Sequence, residues 1–431
     1  MFHPIVKNFP QASRIILNLY YNFENKFLLK NVPIILFAVW LCSCNGQTKA
    51  PEYVSPNLSA AIATPAAALT APELRHYKTQ VTRFIDSVFT QRPFNGSILV
   101  AKNGEVIVEK YMGFRNPRTR KDSITPSTAF HLASVSKTFT AMAILKLQQD
   151  GKIDIHNPVS AYLPGFPLSG VTVKTLLNHR SGIPNYVHYM ERLGWNRKRV
   201  ISNQDVFDFI IARQKDIQLT TPGKHFSYSN TNFALLALII EKVSGQSYPE
   251  FMKLRFFEPL KMSDTYIYTQ SDSARSLQSY YNSGRIYPFE YLDKVYGDKN
   301  VYSTVRDMLK WDQALYGGTI FNKSTLDSAF SGYSFEKPGI NNYGLGWRMF
   351  NLRSGKKFIY HNGWWHGNRT AFYRLIDDNV TIIAFSNNDF TKVYSCKKLA
   401  DIFGNYFRNP EEEKASETVN TVRAASPEPE Q

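Results

Sequence analysis

From Leu74 onward the apolar positions of the chain recur at helical spacing. Leu74, Tyr77, Val81, Phe84, Ile85 and Val88 fall on one face, with Pro72 in the first turn, so an amphipathic helix opens the folded part. The pattern then becomes that of strands. Residues 96–102 and 105–111 are rich in β-formers and flank Asn103-Gly104, the pair that favours a two-residue hairpin. From about residue 130 to 310 the pattern is mainly helical, broken by Pro/Gly loops at 163–167 and 221–223. Strand-like runs return at 344–351, 357–361, 370–376 and 380–386, and a last helix is expected over about 393–407. Strands at both ends of a helical middle predict an α/β (α+β) fold. One antiparallel sheet is built from both chain ends and flanked by helices, with an all-helical lobe inserted.

The two ends of the chain read differently. Val32 to Leu41 is an apolar stretch preceded by Lys26 and Lys30. Its ten residues are too few for a hydrocarbon core of about 30 Å, which needs about 20 in a helix, and suit the apolar segment of a signal peptide. Leu41 and the small Ser43 before Cys44 resemble the lipobox of bacterial lipoproteins. That resemblance implies a lipoprotein signal peptide over 1–43, an acylated Cys44, and attachment to a membrane of the bacterial cell envelope, periplasmic or surface-exposed. A coincidental cysteine after a buried segment is the alternative. Residues 44–71, rich in Ala, Pro, Thr and Ser, read as a flexible tether. Residues 409–431, with six glutamates against Lys414 and Arg423, read as a disordered acidic tail, leaving 72–408 as the folded module.

Composition narrows the classes. A length of 431 residues suggests about three domains at roughly 150 each, but strands that close one sheet from both ends reduce these to a single two-lobed module. At 43% hydrophobic and 20% charged residues the chain is globular. Its 51 Lys+Arg against 35 Asp+Glu give +16; the first 43 residues carry +3 and the tail −4, so residues 44–408 carry +17. That balance raises nucleic acid or an anionic membrane as partner. The basic clusters at 115–121 and 192–199 read as solvated faces, and an exported chain does not meet a genome, so no nucleic-acid partner is expected. Three cysteines exclude a disulfide framework, and Cys396 is left single.

Among chemical motifs, Gly-x-Ser-x-Gly, His-Glu-x-x-His and the P-loop pattern are absent. His361 and His366 lie five apart with no cysteine or nearby acidic residue at ligand spacing, so neither a metal nor another cofactor is expected. Ser-x-x-Lys occurs at Ser134, Ser334, Ser354 and Ser395, and only Ser134-Val-Ser-Lys137 opens a long apolar helix. There a nucleophile gains from the positive helix end, and residues three apart share a face, so Lys137 reaches Ser134. Burial favours the neutral lysine, the form that accepts the serine proton. Tyr-x-Asn occurs at Tyr20, Tyr228 and Tyr280, and only Tyr228-Ser-Asn230 follows a Pro-Gly turn and leads into an apolar helix. A phenol beside a lysine can shuttle protons, and the Asn amide can orient an acyl group. His361-Asn362-Gly363 ends a strand; the glycine allows close backbone approach, and the Trp364 N–H can join the Ser134 N–H as an oxyanion hole. Each motif alone also has a plain structural reading, as a helix cap or a strand-end turn.

The order Ser-x-x-Lys, Tyr-x-Asn, His-x-Gly, separated by 94 and 133 residues, resembles the serine β-lactamase and penicillin-binding-protein superfamily, in its class C β-lactamase-related branch. Leu176–Pro184 resembles that family's Leu-Leu-x-His-x-Ser-Gly segment, Gly344-Leu-Gly-Trp347 its Gly-x-Gly-Trp strand, and His361 to Gly367 its extended third motif. The resemblance implies a β-lactamase-like serine hydrolase that acts through an acyl-enzyme on a small-molecule or peptide substrate. It implies Ser134 as nucleophile, Lys137 as its base and Tyr228 as proton shuttle. Asn230, His361, Gly363 and Trp364 would contact substrate. The third motif departs from Lys-Thr-Gly: His361 is largely neutral at pH 7 by its reference pKa and Asn362 has no hydroxyl, which weakens carboxylate recognition. This favours an esterase, amidase or D-amino-acid peptidase over a class C-like β-lactamase or a penicillin-binding DD-peptidase, with a non-catalytic binding module as the remaining alternative. Trp364 and Trp365 can form an apolar cleft wall or pack as core or rim residues.

Overall fold

A computed structural model describes residues 67–90, 94–316, 318 and 320–421. The expected signal peptide, Cys44 and the tether up to residue 66 lie outside the described residues. In chain order the strands are β1 (Gly96–Lys102), β2 (Glu105–Met112), β3 (Phe114–Asn116), β4 (Lys121–Ser123), β5 (Phe130–His131), β6 (Tyr266–Ile267), β7 (Val301–Ser303), β8 (Asn341–Tyr343), β9 (Arg348–Asn351), β10 (Lys357–Trp365), β11 (Asn368–Leu375) and β12 (Val380–Ser386).

Helix α1 (Ala71–Phe89) starts where the sequence indicates, with Thr70 and Glu73 forming a capping box and Val81 and Ile85 buried. Asn103 and Gly104, with φ of 57° and 78°, turn β1 into β2. Strand β1 then pairs along its length with β12, the last strand of the chain. The seven-stranded sheet runs β2-β1-β12-β11-β10-β9-β8, with every pair antiparallel. Both of its faces are covered. Ile98, Val100, Tyr360, Tyr373 and Ile382 pack beneath α1 and the C-terminal turns, whereas Leu99, Ile359, Phe372 and Ile383 face the helical region. Burial on both sides explains why these strands read as continuous apolar runs.

Two helices form the centre of the helical region: α2 (Ser136–Gln149) and α3 (Asn230–Ser244), which pack on each other. Residues all around α2 are buried, as expected of an interior helix. Helix α4 (Val305–Ala314) is tied to the sheet by a fully buried ion pair, Arg374 Nε to Asp312 Oδ1 at 2.5 Å, with Thr381 Oγ1 donating to the second carboxylate oxygen at 2.5 Å.

Three expectations change. Residues 344–347 form a tight turn between β8 and β9. Gly346 has φ 82°, and a Cβ there would lie 2.2 Å from the Ala141 Cβ, so only glycine lets this turn rest on α2. The last helix is mostly 3₁₀ turns, Thr391–Leu399, continuing as a short α-helix, Ala400–Phe403. The tail read as disordered from residue 409 is helical over α5 (Pro410–Thr421), where Arg353 pairs with Glu411, Lys398 with Glu413, and Lys397 donates to Ser416. The acidic side chains that read as a solvated run meet basic groups of the body; residues 422–431 lie outside the described residues. No helix among the described residues is long and apolar enough to cross a membrane.

Candidate active site

Ser134 lies in a 3₁₀ turn, Ala133–Val135, immediately before α2. The turn follows β5 through Ala133, whose φ of 49° is unusual for a residue with a Cβ and marks local strain. It is fixed from several sides. The Leu132 N–H donates to the Val301 carbonyl at 2.8 Å, and the Leu132 carbonyl accepts from Thr370 Oγ1 at 2.7 Å. The Ala133 N–H donates to His131 Nδ1 at 3.2 Å. Because Nδ1 accepts, Nε2 carries the proton and donates to Asn300 Oδ1 at 3.0 Å. His131 is a neutral imidazole whose pKa is pulled down to about 4 by burial, outweighing the Asn300 hydrogen bond.

Lys137 follows one turn later, on the face of α2 that looks back at Ser134. Its side chain is fully buried. Nζ lies within hydrogen-bond distance of Ser134 Oγ at 3.2 Å and donates to the Asp298 carbonyl at 2.7 Å, so the position of the amine is fixed by a group outside its own helix. Nζ also lies 5.0 Å from the centre of the Tyr228 ring and 5.7 Å from that of Phe233. Behind this point Asp298 and Lys299 form a buried pair at 3.3 Å, with Lys299 donating to the Tyr186 hydroxyl at 2.5 Å.

Tyr228 and Asn230 sit at the start of α3, as their motif suggests, and both are half-buried. Asn230 Oδ1 is buried with no hydrogen-bond partner among the described residues, an amide oxygen available to an incoming group. The Tyr228 ring is held by a residue to which the sequence assigned no role. His179, fully buried with φ 56°, lies against it with ring centres 4.3 Å apart. His179 Nδ1 accepts from the Ser229 N–H at 3.2 Å and lies 3.1 Å from Asn232 Nδ2, which locks the imidazole to the α3 start. A second such residue is Arg348 on β9, whose guanidinium lies 5.2 Å from the centre of the Tyr228 ring. The only sequence signals were positional: His179 lies inside the Leu176–Pro184 segment, and Arg348 directly follows Gly-x-Gly-Trp.

Strand β10 brings the third motif alongside the serine turn. A Cβ on Gly363 would lie 2.1 Å from Thr370 Oγ1 and 2.3 Å from the Leu132 carbonyl oxygen, so the absence of a side chain is what allows the strand to touch the turn. The backbones that carry the Ser134 and Trp364 amides are therefore in contact. His361 is placed differently from expectation. It is fully buried, with Nε2 3.4 Å from the Tyr343 hydroxyl and its ring centre 6.4 Å from that of Tyr228. It lies against the two tyrosine rings, on the same strand face as Gly363. Strand alternation turns Asn362 and Trp364 to the opposite face. There Asn362 meets the Tyr373 phenol, and the Trp364 indole lies under Arg369 and donates to the His366 carbonyl. Of Trp364 only the backbone remains for substrate. Trp365, on the same face as His361 and Gly363, is the tryptophan that the cleft side receives.

The fold also joins His366 to Glu290 and Asp293, whose ligating atoms lie within 4.8 Å of one another. Sequence spacing hid this group, because the carboxylates come from a distant loop. Asp293 already accepts from Trp365 Nε1 at 2.7 Å, His366 Nε2 at 3.0 Å and the Glu290 N–H at 2.7 Å. Asp293 thus centres a hydrogen-bond cluster that ties the end of β10 to the 290–293 loop.

The arrangement of serine, buried lysine, tyrosine and close glycine strand spans the whole body, and residues 85–403 match the Beta-lactamase family. The chain belongs to the Beta-lactamase family. As a member of the β-lactamase and penicillin-binding-protein superfamily it is a serine hydrolase. It is 33% identical over 351 residues to penicillin-binding protein 4* of Bacillus subtilis (strain 168), covering 76% of this chain and 77% of that protein. The octameric penicillin-binding protein homologue from Pyrococcus abyssi superposes with a TM-score of 0.64 at 26% identity, over 75% of this chain and 77% of that one. The D-stereospecific amidohydrolase from Streptomyces sp. gives a TM-score of 0.58 over 77% of this chain and 98% of that one; at 22% identity it shows the shared fold.

Proposed function

We propose that this Beta-lactamase family member, of the class C-related branch, hydrolyses an ester, amide or D-amino-acid peptide bond through an acyl-enzyme on Ser134. The observation that carries the reading is Lys137 Nζ held 3.2 Å from Ser134 Oγ by the Asp298 carbonyl. Neutral Lys137 takes the serine proton as Oγ bonds to the substrate carbonyl carbon. The carbonyl oxygen becomes an oxyanion, received by the N–H groups of Ser134 and Trp364. Tyr228, whose ring centre lies 5.0 Å from Lys137 Nζ, passes the proton to the departing oxygen or nitrogen as its bond to carbon breaks. Water then attacks the carbonyl carbon of the Ser134 ester, Tyr228 accepting its proton as the phenol proton passes to Lys137; the C–Oγ bond breaks to release the acid, and Lys137 returns the proton to Ser134 Oγ, leaving the lysine neutral and the phenol protonated. Asn230 Oδ1 orients the acyl part. His361, His179 and Arg348 lie around the Tyr228 ring, as positioning residues.

Names of similar proteins support this range, from penicillin-binding proteins to a D-stereospecific amidohydrolase. The buried His361 and the turned-away Asn362 favour esters and peptides over β-lactams, because neither offers a cation or hydroxyl to a drug carboxylate. A fluorophosphonate probe tests the chemistry directly. We expect labelling of the wild type and none of Ser134→Ala; equal labelling of both, or none of either, rejects the assignment.

We further propose that Cys44 anchors the protein to the bacterial cell envelope. The support is the ten-residue apolar segment and the Leu41-Cys-Ser-Cys44 sequence. The +17 body suits a position beside anionic surfaces.

A further inference from the structure

Beyond Gly363, β10 leads to a second concavity. A cavity of about 300 Å³ opens between the end of β10 and the segment from Tyr268 to Asn300. Trp365 lies two residues past Gly363 on the same strand face, about 7 Å along it. His361 lies two residues before. The cavity is therefore on the side of Ser134 opposite His361. His131 joins the two sites, since it lines the cavity and also accepts the Ala133 N–H that shapes the serine turn.

The composition of its walls is specific. Five aromatic side chains line it, those of Tyr268, Tyr287, Phe289, Tyr302 and Trp365, beside the imidazoles of His131 and His366, together with the neutral amides of Gln270, Gln278 and Asn368. Asn368 Oδ1 is buried with no hydrogen-bond partner among the described residues, whereas the Asn300 amide is already bonded to His131 and to the Asp293 and Val295 carbonyls. No lysine or arginine is among the lining residues, and the one cationic side chain a proton could make there, His366, is already paired with Asp293 at 3.0 Å. Asp293 is the carboxylate on the wall, and its oxygens already accept from Trp365, His366 and the Glu290 N–H. Burial raises the Asp293 carboxyl, but the His366 hydrogen bond and charge and the backbone bond at Glu290 hold it below the usual range. It fixes the wall and is not left as the partner of an ammonium group. A volume at the lower end of ligand pockets takes one ring.

The rings are rigidly set. The Trp365 indole N–H is bonded to Asp293 at 2.7 Å, and its face lies 4.6 Å from the Lys299 ammonium. His366 stacks on Tyr287 with ring centres 5.2 Å apart, and Tyr287 on Tyr281 at 3.5 Å. The wall continues outward as an apolar edge. Ile286 and Phe289 are 47% and 53% exposed, large apolar side chains left facing solvent on either side of Tyr287. Such exposure beside a concavity marks a contact surface.

We propose that this cavity is a subsite for a neutral polyhydroxylated ring, a sugar, carried by the substrate of Ser134. Aromatic faces cover the C–H faces of the ring, and the amides and hydroxyls around them bond its hydroxyls. The inference deepens the hydrolase reading and rests on it for the reaction: the scissile ester or amide joins an acyl group to a sugar-bearing partner.

Binding is tested apart from catalysis. Saturation-transfer NMR on Ser134→Ala with methyl β-glucopyranoside at about 10 mM, the range of single-ring affinities, is expected to show transfer to the ring protons. Tyr287→Ala and Trp365→Ala, each in that background, are expected to lower it severalfold, with Tyr287→Phe, which keeps the ring, restoring it; native far-ultraviolet circular dichroism of each variant separates loss of the subsite from loss of the fold. In the active enzyme, the ratio of kcat/KM for 6-O-acetylglucose to that for 4-nitrophenyl acetate is expected to fall about tenfold on Tyr287→Ala. No transfer to the sugar, transfer unchanged in Tyr287→Ala, or choline bound in place of the sugar each overturns the subsite. Sugar binding without fluorophosphonate labelling keeps the subsite and rejects the hydrolase reading. Labelling without sugar binding does the reverse.

Discussion

Gly363 shows how much the site depends on a missing atom. With the Leu132 carbonyl oxygen 2.3 Å from where a Cβ would be, Gly363→Ala must push β10 off the serine turn. Misplacement of an oxyanion donor by about 1 Å costs on the order of a hundredfold in rate. We expect Gly363→Ala to react with a fluorophosphonate probe at least about a hundredfold more slowly while its far-ultraviolet circular dichroism stays native. His131 makes a different prediction. Unfolded, it titrates near 6.5; folded, burial lowers this to about 4. Between these values the unfolded chain takes up a proton that the folded chain refuses. Stability is therefore full above about pH 6.5 and falls toward pH 4, by about 3 kcal/mol from this group. Denaturant midpoints measured across that window should decline, and His131→Asn should flatten the slope. Ser134, Lys137, Tyr228 and Asn230 were legible in the sequence because each begins an apolar helix, where local spacing sets the geometry. His179 and Arg348 were not, since their roles exist only through contact with a ring from another element.

At the scale of elements, sheet and helical region are joined by a charge pair that sequence could not match. Arg374 and Asp312 are both fully buried, and Arg374 also lies against Tyr316, Phe330 and Trp347. Removing one partner leaves the other charge in a medium that cannot solvate it, at a cost of about 3–5 kcal/mol. Asp312→Asn is expected to lower stability by that amount in urea titration; a change below about 1 kcal/mol would show that the pair is dispensable. The strands themselves were largely legible, since both hairpin and β-rich runs fall where the pattern puts them. Their faces were less so. An apolar run buried on both sides carries no period-two signal. The sequence therefore could not show that Trp365 turns toward the cleft side while Trp364 turns away. The Gly344–Trp347 run read as strand because its tight turn is bounded by strand residues, and its conformation is set by contact with α2.

At the scale of the whole molecule, β1 and β12, from opposite ends of the module, pair along their length, so one sheet is completed only when both ends of the module are present. The acidic segment after Asn409 illustrates the limit of composition. Its glutamates meet Arg353 and Lys398, so part of what reads as a solvated tail is a docked helix. The proposed anchor belongs to this scale as well. Cys44→Ala is expected to abolish incorporation of alkyne-palmitate and to move the protein from the membrane pellet to the soluble fraction. An unchanged distribution would reject the anchor.

The sequence by itself determined the order of the elements, the helix starts that carry Ser134, Lys137, Tyr228 and Asn230, and the family resemblance. All of these follow from local spacing and helix and strand periodicity. Tertiary structure alone decided that His361 is buried, that Arg348 and His179 adjoin Tyr228, and that Asp293 meets Trp365 and His366 at the end of β10. These contacts join residues tens to hundreds of positions apart. Nothing in a local pattern records which distant side chain will fill the space beside a given ring.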